Sequence, residues 1–328
     1  MTEALAIHRE LKDRRNEAVA LNNLGNTYGA LGQPERALEV REQALAIYRE
    51  LKDRTGEAGT LTSLGNVYTS LNRYEKAIEY REQALVIYRD LKNRASEASV
   101  LSSLGIASIE LRHHEKAIEY LEQALVIHRE VKNRSEEAFT INNLGVAFQR
   151  LGRYEEAFKY FEQALVLHRE IKNRAGEGLA LNNLGEVASG LYRYDRAIEH
   201  HEQALAIYRD LKDRTKEAYT LNALGAAHYM LGHYEKTKEY NEQALALFRE
   251  MKNRVGEADA LLNLSNGYWG LSQYEKDIEH REQALAIFRE MKNRIRSGET
   301  SARVGNAYGV LSRYERRLVL RASAGHPS

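Results

Sequence analysis

TGEAGTLTSLGNVYTSLNRYEKAIEYREQALVIYRDLKNR, residues 55–94, decides the fold. Ala58, Leu61, Leu64, Val67 and Tyr68 fall three and four apart, which is one face of a helix. The pattern breaks at Leu71-Asn72-Arg73, and a second helical run carries Ala77, Ile78, Ala84, Leu85, Ile87, Tyr88 and Leu91. No strand-like alternation interrupts either run. The spacing predicts a helix hairpin, with a first helix (A) of about 15 residues and a second (B) of about 19. Pro34 stands where a B helix starts, the helical position that proline tolerates best.

The same stretch recurs along the chain every 40 residues. Glu-Gln-Ala-Leu returns at 42–45, 82–85, 122–125, 162–165, 202–205, 242–245 and 282–285. A period of this size means a solenoid, in which each unit buries its apolar face on its neighbours. Gly25, Gly65, Gly105, Gly145, Gly185, Gly225 and Gly305 share one phase. A mid-helix glycine costs about 1 kcal/mol against alanine. Its repetition therefore implies close contact between helix A and helix B, beside Leu21, Leu61, Leu101 and their equivalents. The fold class is all-α, a right-handed superhelical solenoid of antiparallel helix hairpins. Residues 1–14 form a lone helix B, 15–294 seven hairpins, 295–320 a degenerate partial repeat or cap, and 321–328 a tail. Starting in mid-hairpin suggests a piece of a longer array. Leu5, exposed at an uncapped end, would then permit head-to-tail self-association.

Leu61, Leu64-Gly65, Tyr68, Ala77 and Ala84 resemble the tetratricopeptide-repeat pattern, over roughly residues 1–315. Two features depart from it. The first large position is Leu or Ile, never Trp, and the unit has 40 residues where 34 is commoner. The LNNLGN and GEA segments look like those of Pins/LGN-type adaptors and of bacterial arrays fused to signalling ATPases or caspase-like peptidases. Kinesin light chain repeats are a more distant likeness.

Composition excludes several functions. Charged residues make up 29% of the chain, yet the formal net charge is +1, so no basic excess draws it to nucleic acid. There is no cysteine, hence no disulfide and no thiolate metal site, which suits a reducing, cytoplasmic compartment. No run approaches the ~20 apolar residues needed to span a bilayer. No metalloprotease, P-loop or nucleophile-elbow motif is present, so no catalytic residue and no cofactor is assigned. His128 and His168 replace the tyrosines of phase 48, and the adjacent pair His200-His201 points to different helix faces, so neither set is a metal site. Lys52-Arg54 and its equivalents form a periodic basic ridge, and each arginine is expected to be neutralised by the glutamate three residues on, such as Glu57.

The resemblance implies that helix A lines a concave groove. The lining positions are then an asparagine ladder, Asn22, Asn26, Asn66, Asn142, Asn182, Asn222 and Asn266, able to hold a peptide backbone. The variable positions Ile106, Ile109, Val146, Arg150 and Glu186 would set specificity, and Tyr229 and Trp269 would anchor the ligand. A carboxylate clamp for a chaperone tail is not expected, because Arg150 is the one well-placed cation. The late substitutions Thr237, Asp277 and Arg317 read either as tolerance near a solenoid end or as a hinge or contact site. The expected function is a non-catalytic scaffold binding a peptide of a partner protein. The alternatives are a sensor or recruitment arm of a larger signalling protein, and a self-assembling structural array.

Overall fold

The computed structural model describes residues 2–323, and side chains from 5 to 313. Its helices are α1 (Thr2–Glu10), α2 (Arg14–Ala30), α3 (Pro34–Glu50), α4 (Arg54–Ser70), α5 (Tyr74–Asp90), α6 (Arg94–Glu110), α7 (His114–Glu130), α8 (Arg134–Arg150), α9 (Tyr154–Glu170), α10 (Arg174–Gly190), α11 (Tyr194–Asp210), α12 (Arg214–Met230), α13 (Tyr234–Glu250), α14 (Arg254–Gly270), α15 (Tyr274–Glu290) and α16 (Arg294–Ser323). Among the described residues there is no strand. The all-α hairpin solenoid is as the sequence predicts. The helix lengths are not: from α2 to α15 the A and B helices all have 17 residues, joined by three-residue turns such as 51–53 and 71–73, while α1 has 9 and α16 has 30. Residues 324–328 of the expected tail lie outside the described residues, whereas 321–323 continue α16.

The turns explain the strict period. Leu51 ends α3, Lys52 takes φ 53°, and the Asp53 N–H donates to the Tyr48 carbonyl at 2.9 Å, while the Lys52 N–H donates to Arg49 at 3.1 Å. This is a Schellman closure with lysine in the left-handed position that usually takes glycine. Asp53 then caps α4, its carboxylate accepting from the Gly56 N–H at 2.9 Å. One residue thus closes one helix and opens the next. Lysine holds positive φ in every such turn, from Lys12 to Lys292. Replacing Lys132 (φ 56°) by glycine removes the left-handed penalty but adds freedom to the unfolded chain. The expected net effect is a gain of about 0.5 kcal/mol, visible as a higher melting temperature. A lower melting temperature would show that the lysine side chain contributes more than its backbone costs.

The basic ridge is paired as expected. Glu57 accepts from Arg49 Nε and Arg54 Nη1, each at 3.0 Å, and Arg54 Nη2 reaches Asp90 at 3.4 Å. The same fork recurs at Glu17, Glu97, Glu137, Glu217 and Glu257.

The chain divides into two compact units, residues 1–171 and 172–328. Within the first, α6 approaches α8; within the second, α10 approaches α12 and α12 approaches α14. Successive B helices are bridged by long side chains instead, as in Arg49 to Gln83 at 3.0 Å and Arg209 to Gln243 at 2.9 Å. The A helices therefore form the inner, closer-packed side of each unit. Leu5 is buried against α2 in a cluster with Ala18, Leu21 and Leu24. It is not the exposed contact that the sequence suggested, because α1 packs as a B helix and turns this face inward.

The glycine phase has a specific occupant. A Cβ on Gly65 would lie 2.9 Å from Arg81 Cγ, on Gly105 2.5 Å from Leu121, on Gly145 2.6 Å from the Phe161 ring, and on Gly185 2.6 Å from the His201 ring. Each glycine is a socket for one B-helix side chain, sixteen residues further on.

Candidate functional site

Two helical phases of the A helices reach the inner side, and the structure separates their roles. The first is that of Asn22. Its Nδ2 donates to Thr60 Oγ1 on the next A helix at 2.8 Å. Ser102 and Thr140 hydroxyls meet at 3.2 Å, Thr220 donates to Asn182 at 3.3 Å, and Asn263 donates to Asn222 at 3.0 Å. Asn142 is 3% exposed. Asn22, Asn182 and Asn222 thus spend polar atoms on tying one A helix to the next, and Asn142 is enclosed. The expected continuous ladder for a ligand backbone is reduced accordingly.

The second phase, four residues on, is open. Asn26, Asn66 and Glu186 are exposed, and Ile106, Val146, Ala226 and Asn266 are half-buried. Each sits directly after its socket position and beside the B-helix residue that fills the socket. The partners match in kind. Arg41 donates to Asn26 at 2.6 Å, Arg81 to Asn66 at 3.0 Å, and Arg281 to Asn266 at 3.1 Å. Ile106 accompanies Leu121, and Val146 accompanies Phe161. Glu186 accepts from Asn182, whose carbonyl oxygen lies 3.2 Å from His201 Nδ1. The sequence reading named the outer member in every repeat but the sixth, where it left out Ala226, and missed the buried one. A signal existed: residues fifteen apart in one hairpin change character together in every repeat but the sixth, where Ala226 stands opposite Asn241.

Burial sets the electrostatics of these fillers. It pushes the His201 imidazole down to about 4 and the Arg81 guanidinium down to about 10. In repeat seven the small position is Asp277, fully buried, with Oδ1 2.7 Å from Arg281 Nε. Burial raises the Asp277 carboxyl, and Arg281 opposes that shift. Thr237 is also enclosed and donates to the His233 carbonyl at 3.2 Å. Both late substitutions are therefore compensated inside the hairpin; Arg317 lies outside the described side chains.

In the first unit, Ile109 and Arg150 come together with Glu110, Arg112 and His114 around a pocket of about 400 Å³. In the second, Glu186, Ser189, Tyr194, His201, Ala223 and Met230 line an apolar recess of about 250 Å³. Tyr229, Asn266 and Trp269 meet at a third pocket of about 240 Å³, completed by Arg281, Arg303 and Asn306. Trp269 packs edge-on against Tyr274 at 5.3 Å, while its neighbour Tyr268 is buried. The core role thus falls to Tyr268, and the indole is left partly open to the inner side.

The Leu-Gly socket, the paired 17-residue helices and the inner A-helix face are the features of one repeat family, and its model, described as tetratricopeptide repeat, matches residues 1–50, 56–130, 136–210 and 180–250. The chain belongs to the tetratricopeptide-repeat family. Among solved structures, this tetratricopeptide-repeat array is similar to the apo form of RapI, at 16% identity and TM-score 0.69 over 84% of this chain and 99% of that one. It is also similar to the apo quorum sensor NprR from B. thuringiensis, at 16% identity and TM-score 0.64 over 96% and 99%. A signal transduction ATPase with a tetratricopeptide repeat sensor, from Pyrococcus horikoshii, gives 18% identity and TM-score 0.66 over 94% of this chain and 48% of that one. At these identities the likeness is one of fold. No curated protein matches the chain. Among the described residues, no helix is long and apolar enough to cross a membrane.

Proposed function

We propose that the array is a non-catalytic scaffold that holds a peptide segment of a partner protein along its inner A-helix faces, with Trp269 and Tyr229 as anchors. The observation that carries this reading is the pocket of about 240 Å³ on the inner side of the second unit. There a partly open indole, a tyrosine and Arg303 converge beside the buried, ion-paired Arg281. Aromatic and arginine side chains in such recesses are the usual source of binding energy. The recess lined by Ala223, Met230 and Tyr194 would take an aliphatic side chain of the same segment. The exposed asparagines Asn26 and Asn66 offer amide donors to a ligand backbone.

Trp269 is the sole tryptophan, so the site reports its own occupancy. A random peptide library panned on the full chain should yield binders that shift its fluorescence. Trp269→Ala should weaken those binders by about 2 kcal/mol, roughly thirtyfold, with helicity unchanged. Loss of helicity would instead make Trp269 a core residue, and binders indifferent to Trp269 would place the site elsewhere. A second reading, a sensor arm of a larger signalling protein, draws support from the archaeal ATPase, whose match to this chain spans 48% of its length. The same inner face would serve in either case.

A further inference from the structure

On the outer side of each unit, B helices are stitched together by arginine-to-glutamine bonds. In the first unit Arg9, Arg49 and Arg89 reach Gln43, Gln83 and Gln123 at 3.2, 3.0 and 2.9 Å. In the second, Arg209 and Arg249 reach Gln243 and Gln283 at 2.9 and 3.2 Å. The stitch from α7 to α9 is missing: Arg129 bonds Glu137 at 2.9 Å and, among the described residues, makes no bond to Gln163. A cleft of about 550 Å³ opens there, walled by Arg129 of α7, the buried Ile141 of α8, and Lys159, Gln163, Val166 and Leu167 of α9. Two departures from the repeat fall on the same spot. Leu167 is half-buried, whereas its equivalents Ile47, Ile87, Ile127, Ile207, Leu247 and Ile287 are buried. Lys159 stands where the other six hairpins carry glutamate, from Glu39 to Glu279. It is exposed, and Glu156, one turn before it, is already bonded by Arg153 at 2.7 Å.

We propose that this outer cleft docks an amphipathic helix of a partner protein, which brings two apolar side chains and a carboxylate. Lys159, Glu162, Gln163, Val166 and Leu167 recur three and four apart, so α9 offers the cleft one face over two turns, about 10 Å long. A helix laid along that face meets it at the same intervals, which is the helix-in-groove mode of recognition. Its first apolar residue covers Val166 and Leu167, and a second, one turn on, reaches past Gln163 into the cleft. Removing these surfaces from water drives the association. Val126, exposed one turn before Arg129, extends the apolar surface along α7. The acid, seven positions from the first apolar residue, comes level with Lys159, which is seven positions from Val166. Charge supports that placement. The matching edge of α5 carries Glu79 and Glu82 and repels an acid, whereas Lys159 beside Glu162 cancels the repulsion and sets a cation at the end of the cleft. The site lies on the outer B-helix side and does not rest on the peptide-groove reading.

The test uses the full chain and a fluorescein-labelled alanine-glutamine helix of about 18 residues with Leu-Ala-Ala-Ala-Leu-Ala-Ala-Glu at its centre, together with a peptide of the reversed order. One of the two orders should bind, and replacing its leucines by alanine should weaken it at least tenfold. Replacing its glutamate by lysine should weaken it severalfold. Lys159→Glu should invert that preference, and the variant should fold, because glutamate holds this place in the other hairpins. Val166→Glu, at an exposed position, should abolish binding with helicity unchanged. Failure of both orders to bind, or binding indifferent to Lys159→Glu and Val166→Glu, overturns the proposal. A chain that light scattering finds dimeric, and that Val166→Glu returns to a monomer, gives the cleft to a second copy and overturns the partner helix. Trp269→Ala should leave the probe unaffected, so the inner anchor pocket and the outer cleft can fail separately.

Discussion

Phe161→Ala is expected to destabilise the chain by about 3–5 kcal/mol. The ring is 0% exposed, and it fills the socket at Gly145 so closely that a Cβ there would lie 2.6 Å from it. Removing the ring empties the socket between α8 and α9. Phe161→Leu should cost less than about 1.5 kcal/mol, since Leu121 already occupies the equivalent socket at Gly105. In a solenoid the loss is local, because each hairpin is stabilised mainly by its neighbours. Hydrogen exchange should therefore accelerate first in α8 and α9, ahead of global melting in urea. A loss below 1 kcal/mol, or one spread evenly over all helices, would contradict the socket description.

Acidification should weaken the second unit through its buried imidazoles. The imidazole of His201 takes a proton near its ordinary value of 6.5 when unfolded but only near 4 when folded. Between those values the unfolded chain binds more protons, so stability is complete above pH 6.5 and falls as the pH drops toward 4. The shift corresponds to about 3 kcal/mol at the lower limit. His228 is pushed the same way, also to about 4. The forked carboxylates Glu17 and Glu137 act lower. At Glu137, burial alone would raise the carboxyl, but the bonds from Arg129 and Arg134 outweigh it and hold it below 4.5. Their stabilisation is present above pH 4.5 and is lost beneath it. Melting curves between pH 6.5 and 4.5 thus read the imidazoles, against an opposing contribution from Asp277, whose carboxyl burial raises. His201→Leu should flatten part of the slope, and adding His228→Tyr, the residue at Tyr68, should remove most of the remainder. An unchanged slope in the double variant would mean that both imidazoles protonate in place.

The period and the repeated apolar faces made the hairpin legible in residues 55–94 alone, and the glycine at 65 signalled close contact. What filled that contact was hidden, because the filler is the least constant residue of the B helix: Arg81, Leu121, Phe161, His201 and Asn241 share one position. Averaging over repeats erases it. Lys52 and its equivalents were legible as a charge but not as a backbone conformation, since lysine rarely takes φ near 53°. Asn22 illustrates the opposite error. Its place on an A helix suggested a ligand contact, yet its amide reaches Thr60, thirty-eight residues away, and no local pattern contains that partner. Trp269 was separable from the core because Tyr268 beside it already matched the aromatic phase.

The turns have a consequence for how such a gene can change. Because both linkers are three residues long and one aspartate or asparagine closes and opens adjoining helices, any two hairpins have interchangeable joints. Unequal crossing-over between repeats then adds or deletes whole units without a misfitted seam. The exposed residue and its buried filler lie only fifteen positions apart inside a 40-residue unit, so most crossovers leave them on the same side of the break. Recombination can shuffle the chemistry of the inner face while inheriting each matched pair intact.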